Sequence, residues 1–120
     1  MPHTHERLIA IVGPTASGKS DLAIALARKY DGEIISADSR QVYRGMDIGT
    51  GKVPRDPLPA NFFYSEGIRH HLIDIADPDK EYNISHFLRD ARASIDDIRS
   101  RGKLPIICGG THFWIQALLE

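Results

Sequence analysis

Apolar and polar positions change period several times along the chain, and each change marks an element. Residues 7–12 (RLIAIV) form a short apolar run closed by Gly13-Pro14, the mark of a buried strand. Residues 19–30 (KSDLAIALARKY) place Leu22, Ala25, Leu26 and Lys29 at helical spacing, with Gly32 just beyond, and predict a helix. Residues 33–37 (EIISA) predict a second strand. Residues 38–61 are polar, rich in Gly and Pro and weakly patterned, which predicts a long functional loop with short helical pieces. Residues 71–75 (HLIDI) alternate with period two and predict a third strand. Ile84, Phe87, Leu88, Ala91, Ile95 and Ile98 lie on one helical face, in a helix stopped by Gly102. Residues 104–108 (LPIIC) predict a fourth strand, and Gly109-Gly110-Thr111 leads into a last helix over 113–119. Phe113 and Trp114 are expected in the core.

Strands that alternate with helices imply βαβ units: an α/β fold with a parallel sheet covered on both faces. A chain of 120 residues makes one small domain, with 42% hydrophobic and 26% charged residues, an ordinary globular composition. Fifteen Lys+Arg against sixteen Asp+Glu give a net charge of −1, so affinity for nucleic acid has to come from a local site. One cysteine, Cys108, makes no internal disulfide and suits a reducing compartment. The polar start and short early apolar run lack the pattern of a signal peptide or membrane span, so a cytoplasmic protein is expected. The apolar helix at 113–119 carries no stop signal before Glu120, which suggests a portion of a longer protein.

Gly13-Pro14-Thr15-Ala16-Ser17-Gly18-Lys19-Ser20 matches G-x-x-x-x-G-K-[ST] between a strand and a helix, the context a P-loop requires. Its backbone N–H groups and the helix N-terminus form a nest for a di- or triphosphate, Lys19 adds a point charge, and the Ser20 hydroxyl can ligate Mg2+. The motif does not choose among kinase, switch, motor and transferase. The second signal is Ile35-Ser36-Ala37-Asp38-Ser39-Arg40-Gln41-Val42-Tyr43. Asp38 falls at the C-terminal edge of a strand, where open α/β sheets bind ligands. A carboxylate there is a general base, a water-mediated Mg2+ partner or a loop cap.

GPTASGKS, ISADSRQVYRGMDIGTGK, HHLIDIADPDKEYN and RGKLPIICGGTHFWIQALLE follow one another in this order. Together they closely resemble the N-terminal half of the tRNA dimethylallyltransferase (tRNA isopentenyltransferase) family. Most members carry Gly-Thr-Gly-Leu-Tyr where this chain has Gly110-Thr111-His112-Phe113-Trp114. The resemblance implies a P-loop NTPase-like fold in which residues 1–120 are the N-terminal portion of the catalytic core. The rest of the catalytic domain and a tRNA-binding insertion would lie in further sequence. It implies transfer of a dimethylallyl group from dimethylallyl diphosphate to N6 of the adenosine 3′ of the anticodon in tRNA, with release of diphosphate and Mg2+ as cofactor. Residues 13–20 would hold the diphosphate, Lys19 would stabilise it as it leaves, and Asp38 would be the base. Ser39, Arg40, Gln41 and Thr111 would lie against the tRNA, Thr111 near the target adenine. A monomer without membrane attachment is expected for the full-length protein.

Two rival readings need other features. A P-loop small-molecule kinase needs an Arg-rich lid, and a non-catalytic module would only bind phosphate. Prenylation of free adenine nucleotides is a sister reaction open to the same motifs. Arg40, Arg44 and the group Arg99, Arg101 and Lys103 are candidate phosphate contacts, the last three reading first as a solvated basic helix end. His70-His71 lacks the spacing of a zinc site and reads as a structural pair. Asp74 and Asp77 follow the third strand in an imperfect pattern and stay outside the site. Gly109-Gly110 are expected to let the backbone approach the loop of the second strand.

Overall fold

The computed structural model describes residues 7–13, 18–45 and 52–120. Eight elements follow in order: β1 (Ile9–Val12), α1 (Lys19–Tyr30), β2 (Gly32–Ser36), β3 (Phe63–Ser65), β4 (Ile68–His71), α2 (Ile84–Ser100), β5 (Leu104–Gly109) and α3 (His112–Leu119). They build one five-stranded sheet of order β1-β5-β2-β4-β3. β1, β5, β2 and β4 run parallel, and β3 pairs antiparallel with β4.

The alternation of β2 and β5 assigns the two faces. Ile34, Ile106 and Cys108 point to α1 and meet Ala23, Ile24 and Ala27. Ile35, Ala37 and Ile107 point the other way, onto Phe87, Ala91, Ile95 and Ile98 of α2 and Trp114 and Ile115 of α3. Each such isoleucine, fully buried, contributes about 1.5–3 kcal/mol relative to exposure. The stripe of α1 differs from the predicted one. Ala23, Ile24 and Ala27 face the sheet, whereas Leu22 is 51% exposed. The helix begins at residue 19, so residues 23, 24 and 27 form the row that meets β5.

α2 opens with a capping box in which Asn83 Oδ1 accepts the His86 N–H at 3.2 Å and His86 Nδ1 accepts the Asn83 N–H at 3.1 Å. The Phe87 and Trp114 rings stack at 4.6 Å and hold α3 to α2. Phe113 is 68% exposed and lies outside the core, contrary to the expectation, because the inward face of α3 is made by Trp114, Ile115 and Leu118.

The predicted third strand over 71–75 is shifted. β4 ends at His71, since Leu72 and Asp74 have positive φ and break the extended run. The sheet has five strands, one more than expected, because Phe63–Ser65 folds back through Glu66-Gly67 onto β4. Both turn residues have positive φ, as a two-residue hairpin with the right twist requires. Among the described residues of 38–61 there is no helix.

Candidate active site

The C-terminal ends of β1, β2 and β5 converge at one edge of the sheet. Gly18 closes the G-x-x-x-x-G-K-S motif with φ 79°, a left-handed conformation that suits glycine, and serves as N-cap of α1. Lys19 follows in the first turn and is buried, while Ser20 is half-buried. Cys108 on β5 lies beneath this turn, its Sγ donating to the Lys19 carbonyl at 3.7 Å. Gly13 is half-buried at the end of β1, and Pro14, Thr15, Ala16 and Ser17 lie outside the described residues.

Asp38 stands two residues past β2 and is 4% exposed. Its Oδ1 accepts the backbone N–H groups of Arg40 at 2.9 Å and Gln41 at 3.3 Å, so the carboxylate organises its own loop. The Arg40 side chain is mostly exposed, with Nε 4.0 Å from Asp38 Oδ1.

The loop is clamped by the chain after β5. The Ala37 N–H donates to the Cys108 carbonyl at 3.0 Å, and the Thr111 N–H donates to the Ala37 carbonyl at 3.0 Å. The Ser39 N–H donates to Thr111 Oγ1 at 2.9 Å, and Thr111 Oγ1 lies 3.4 Å from Ser39 Oγ. Gly109 permits this approach: a Cβ there would stand 2.1 Å from the Ala37 oxygen. A Cβ on Gly110 would stand 3.5 Å from the Gly13 oxygen and 3.7 Å from Asp38 Oδ2. The paired glycines let the backbone approach the loop of β2, as expected, and Gly110 also lies near the end of β1.

On the far side the loop is tied to the segment after β4. Asp74 N–H donates to the Gln41 carbonyl at 3.1 Å, Ile75 N–H to the Val42 carbonyl at 2.9 Å, and Tyr43 bridges Ala76. Lys52 Nζ reaches Asp74 Oδ1 at 2.5 Å, so Asp74 is engaged in the loop scaffold.

The sequence reading passed over Ser36 and gave Cys108 and His70 other roles. Ser36, Cys108 and His70 line a small cavity with Ser20 and Gln41, about 20 Å3 in volume, enough for about one water. Ser36 Oγ donates to Gln41 Oε1 at 3.0 Å and fixes that end of the amide. The signal was the alternation of β2, which turns Ser36 to the α1 face. Burial pushes His70 below the usual histidine range, and its Nδ1 lies 2.9 Å from the Ile68 carbonyl. A neutral ring donates there.

The other candidates resolve into structural pairs. His71 Nε2 lies 2.8 Å from Glu33 Oε1, and Arg101 grips the same carboxylate at 2.5 and 2.8 Å. Arg101 also holds Asp97 at 2.8 Å, Lys103 holds Asp31 at 2.7 Å, and Arg44 holds Asp77 at 2.7 Å. Arg99 donates to the Arg7 carbonyl at 3.1 Å. No group of three or more His, Cys, Asp or Glu side chains among the described residues could hold a metal ion. The Ser20 hydroxyl alone suits Mg2+ only when phosphate oxygens complete the shell. No helix among the described residues is long and apolar enough to cross a membrane.

The chain was compared with known proteins. An IPP transferase family model matches residues 41–120, and an isopentenyl transferase model matches residues 6–62. "tRNA dimethylallyltransferase 2" of Geotalea uraniireducens is 54% identical over 114 residues, covering 95% of this chain and 34% of that protein. The tRNA dimethylallyltransferase of an Exiguobacterium species is 54% identical over 112 residues, covering 93% and 34%. The solved tRNA delta(2)-isopentenylpyrophosphate transferase of Staphylococcus epidermidis superposes with a TM-score of 0.82 at 53% identity, covering 92% of this chain and 34% of that one. A eukaryotic dimethylallyltransferase, solved acting on tRNA, superposes at 0.81 with 42% identity, covering 93% and 26%. The chain spans about a third of the length of the curated relatives it matches.

Proposed function

This chain belongs to the IPP transferase family, and from that membership we propose that the complete gene product is a tRNA dimethylallyltransferase. It transfers the dimethylallyl group of dimethylallyl diphosphate to N6 of the adenosine 3′ of the anticodon and releases diphosphate. The observation that carries the reading is the convergence of a phosphate-binding helix start with a buried carboxylate. The ends of β1 and β2 approach Gly110, past the end of β5, through the Gly13 carbonyl and the Asp38 carboxylate, and Cys108 of β5 touches the Lys19 carbonyl at the start of α1.

Each residue has a task in this scheme. The turn at residues 13–20 binds the diphosphate, and the helix N-terminus and Lys19 stabilise the charge that grows on it as the allylic C–O bond breaks. Mg2+, held by Ser20 together with diphosphate oxygens, supplies further stabilisation of that charge when bound. The acceptor amine is conjugated to a purine and is a weak nucleophile. Asp38 takes its proton as the C–N bond forms, a contribution of about 10²–10⁴ in rate. Thr111 and the Ser39 backbone hold the Asp38 loop in register, which limits wandering of the base. The target base leaves its stack to enter the site, and an anticodon loop makes that inexpensive. Arg40, exposed beside Asp38, is placed to meet RNA phosphate, and Ser39 and Gln41 flank it. The enzyme works as a cytoplasmic monomer on this reading.

The test is mass spectrometry of tRNA nucleosides after incubation of the complete gene product with dimethylallyl diphosphate and Mg2+. Prenylated adenosine is expected with the wild type, with strong loss for Lys19→Ala at nearly unchanged tRNA affinity. A robust Ser20-dependent ATPase without prenylation would instead favour a small-molecule kinase.

A further inference from the structure

Beside β4, away from the phosphate-binding turn, a groove of about 460 Å3 opens between α2 and the β3–β4 hairpin. Its volume is that of a site for a nucleotide-sized group. Two arginines lie along it, each against a phenylalanine. The Arg69 guanidinium stacks 3.5 Å from the centre of the Phe62 ring, and that of Arg55 lies 5.4 Å from the centre of Phe63. Phe62 remains 44% exposed.

The charges here are unevenly committed. The carboxylates in the groove wall are already held: Asp74 by Lys52, and Asp90 by Arg89 and the Tyr82 hydroxyl. The arginines are not. Arg55 donates only to the Ala60 and Phe62 carbonyls, both at 3.3 Å. Arg69 has Asp97 at 3.9 Å, a carboxylate that Arg101 binds at 2.8 Å, and its Nε is buried with no partner. Elsewhere, Arg28, Arg44, Arg89, Arg101 and Lys103 are bound to carboxylates. Both arginines that line the groove therefore keep positive charge for an outside anion. Two residues of the groove wall, Asp74 and Ile75, hydrogen-bond to Gln41 and Val42 of the Asp38 loop.

We propose that this groove is an RNA-binding subsite, in which Arg55 and Arg69 contact phosphates of a strand flanking the target nucleotide and the exposed face of Phe62 stacks on a base. The chemistry is that of single-strand recognition, with cationic side chains on the backbone and aromatic platforms under the bases. The inference rests on the reading of the protein as a tRNA-modifying enzyme.

The experiment measures the affinity of the complete gene product for unmodified tRNA across a salt series, for wild type, Arg55→Gln, Arg69→Gln, Phe62→Ala and the control Arg92→Gln. Each arginine substitution should flatten the slope of log affinity against log salt by about 0.7–0.9. Phe62→Ala should weaken binding about fivefold or more. KM for tRNA should rise while kcat at saturating tRNA stays put, and Arg92→Gln should change nothing. Arg55 is exposed, so its variant keeps the test sound if Arg69→Gln fails to fold. Wild-type slope and affinity in a folded Arg55→Gln protein overturn the subsite. Absence of any tRNA binding by the wild type would instead overturn the functional reading beneath it.

Discussion

Glu33 and Asp38 occupy opposite ends of one strand run, five residues apart. Both are carboxylates and both are buried, at 6% and 4% exposure. Their partners separate them. Glu33 is gripped by the side chains of Arg101 and His71, which tie β2 to β4 and to the end of α2. Asp38 takes its hydrogen bonds from the backbone of its own loop, at the edge where the phosphate-binding turn ends. Burial alone pushes the Glu33 carboxyl up, but the hydrogen bonds and charges of Arg101 and His71 outweigh it and hold it at about 2. Glu33, a buried carboxylate bound by side chains from two other elements, is a structural rivet. Asp38, held by backbone N–H groups alone, caps its own loop instead of joining elements.

The largest expected effect would break this comparison outright. Asp38→Asn keeps the shape of the loop cap and removes the base, so single-turnover prenyl transfer should fall by about 10²–10⁴ with tRNA still bound. Near-normal turnover would place Asp38 with Glu33 as a structural group. The reciprocal substitution, Glu33→Gln, should leave transfer chemistry intact in folded protein but destabilise it by about 3 kcal/mol, since it strands Arg101 and His71. Denaturant unfolding at neutral pH measures this.

Acid sharpens the same contrast. Glu33 has a folded value near 2, below its ordinary 4.5, so its stabilisation is complete above 4.5 and is lost as pH falls toward 2. His70, depressed by burial, adds loss in the same direction below about 6.5, because the unfolded chain takes up its proton first. Unfolding midpoints should therefore drop on acidification, and the gap between wild type and Glu33→Gln should close below pH 4.

Smaller effects test the clamp and the exposed helix face. Thr111→Val leaves the Ser39 N–H without its acceptor and should cost about 1–3 kcal/mol, with kcat reduced more than KM is raised. Thr111→Ser should restore both. Phe113→Ser should change stability by no more than about 0.5 kcal/mol, as an exposed substitution does. A large loss there would return Phe113 to the core.

Strong periodicity made most of the fold readable. The α2 stripe, the apolar runs of β1, β2 and β5, and the glycines after β5 each state one local preference that packing does not contradict. The G-x-x-x-x-G-K-S motif was legible from its residue types and spacing, whereas position alone left Asp38 open between base, Mg2+ partner and loop cap, and only the family resemblance singled out the base. The β3–β4 hairpin was not, because Phe63–Ser65 is too short for a period and Glu66-Gly67 is a weak turn signal. The shift of β4 came from positive φ at Leu72 and Asp74, residue types that give no warning of it. The roles of Ser36 and the Arg55–Arg69 groove depend on contacts between segments distant in sequence, which local patterns do not encode.

The sheet order carries a consequence for how the protein is made. β1 and β2 are joined by a single helix, yet they never touch, because β5 lies between them. On the ribosome, the phosphate-binding turn and the Asp38 loop emerge early and remain without their common neighbour until residues 104–109 are added. At about 5–20 residues per second that interval lasts several seconds. Throughout it, Ile34 and Ile35 and the sheet-facing row of α1 have no β5 to cover them. A nascent chain stalled before residue 104 is thus a natural client for chaperones, and the ends of β1 and β2 acquire their spacing only when β5 threads into the gap.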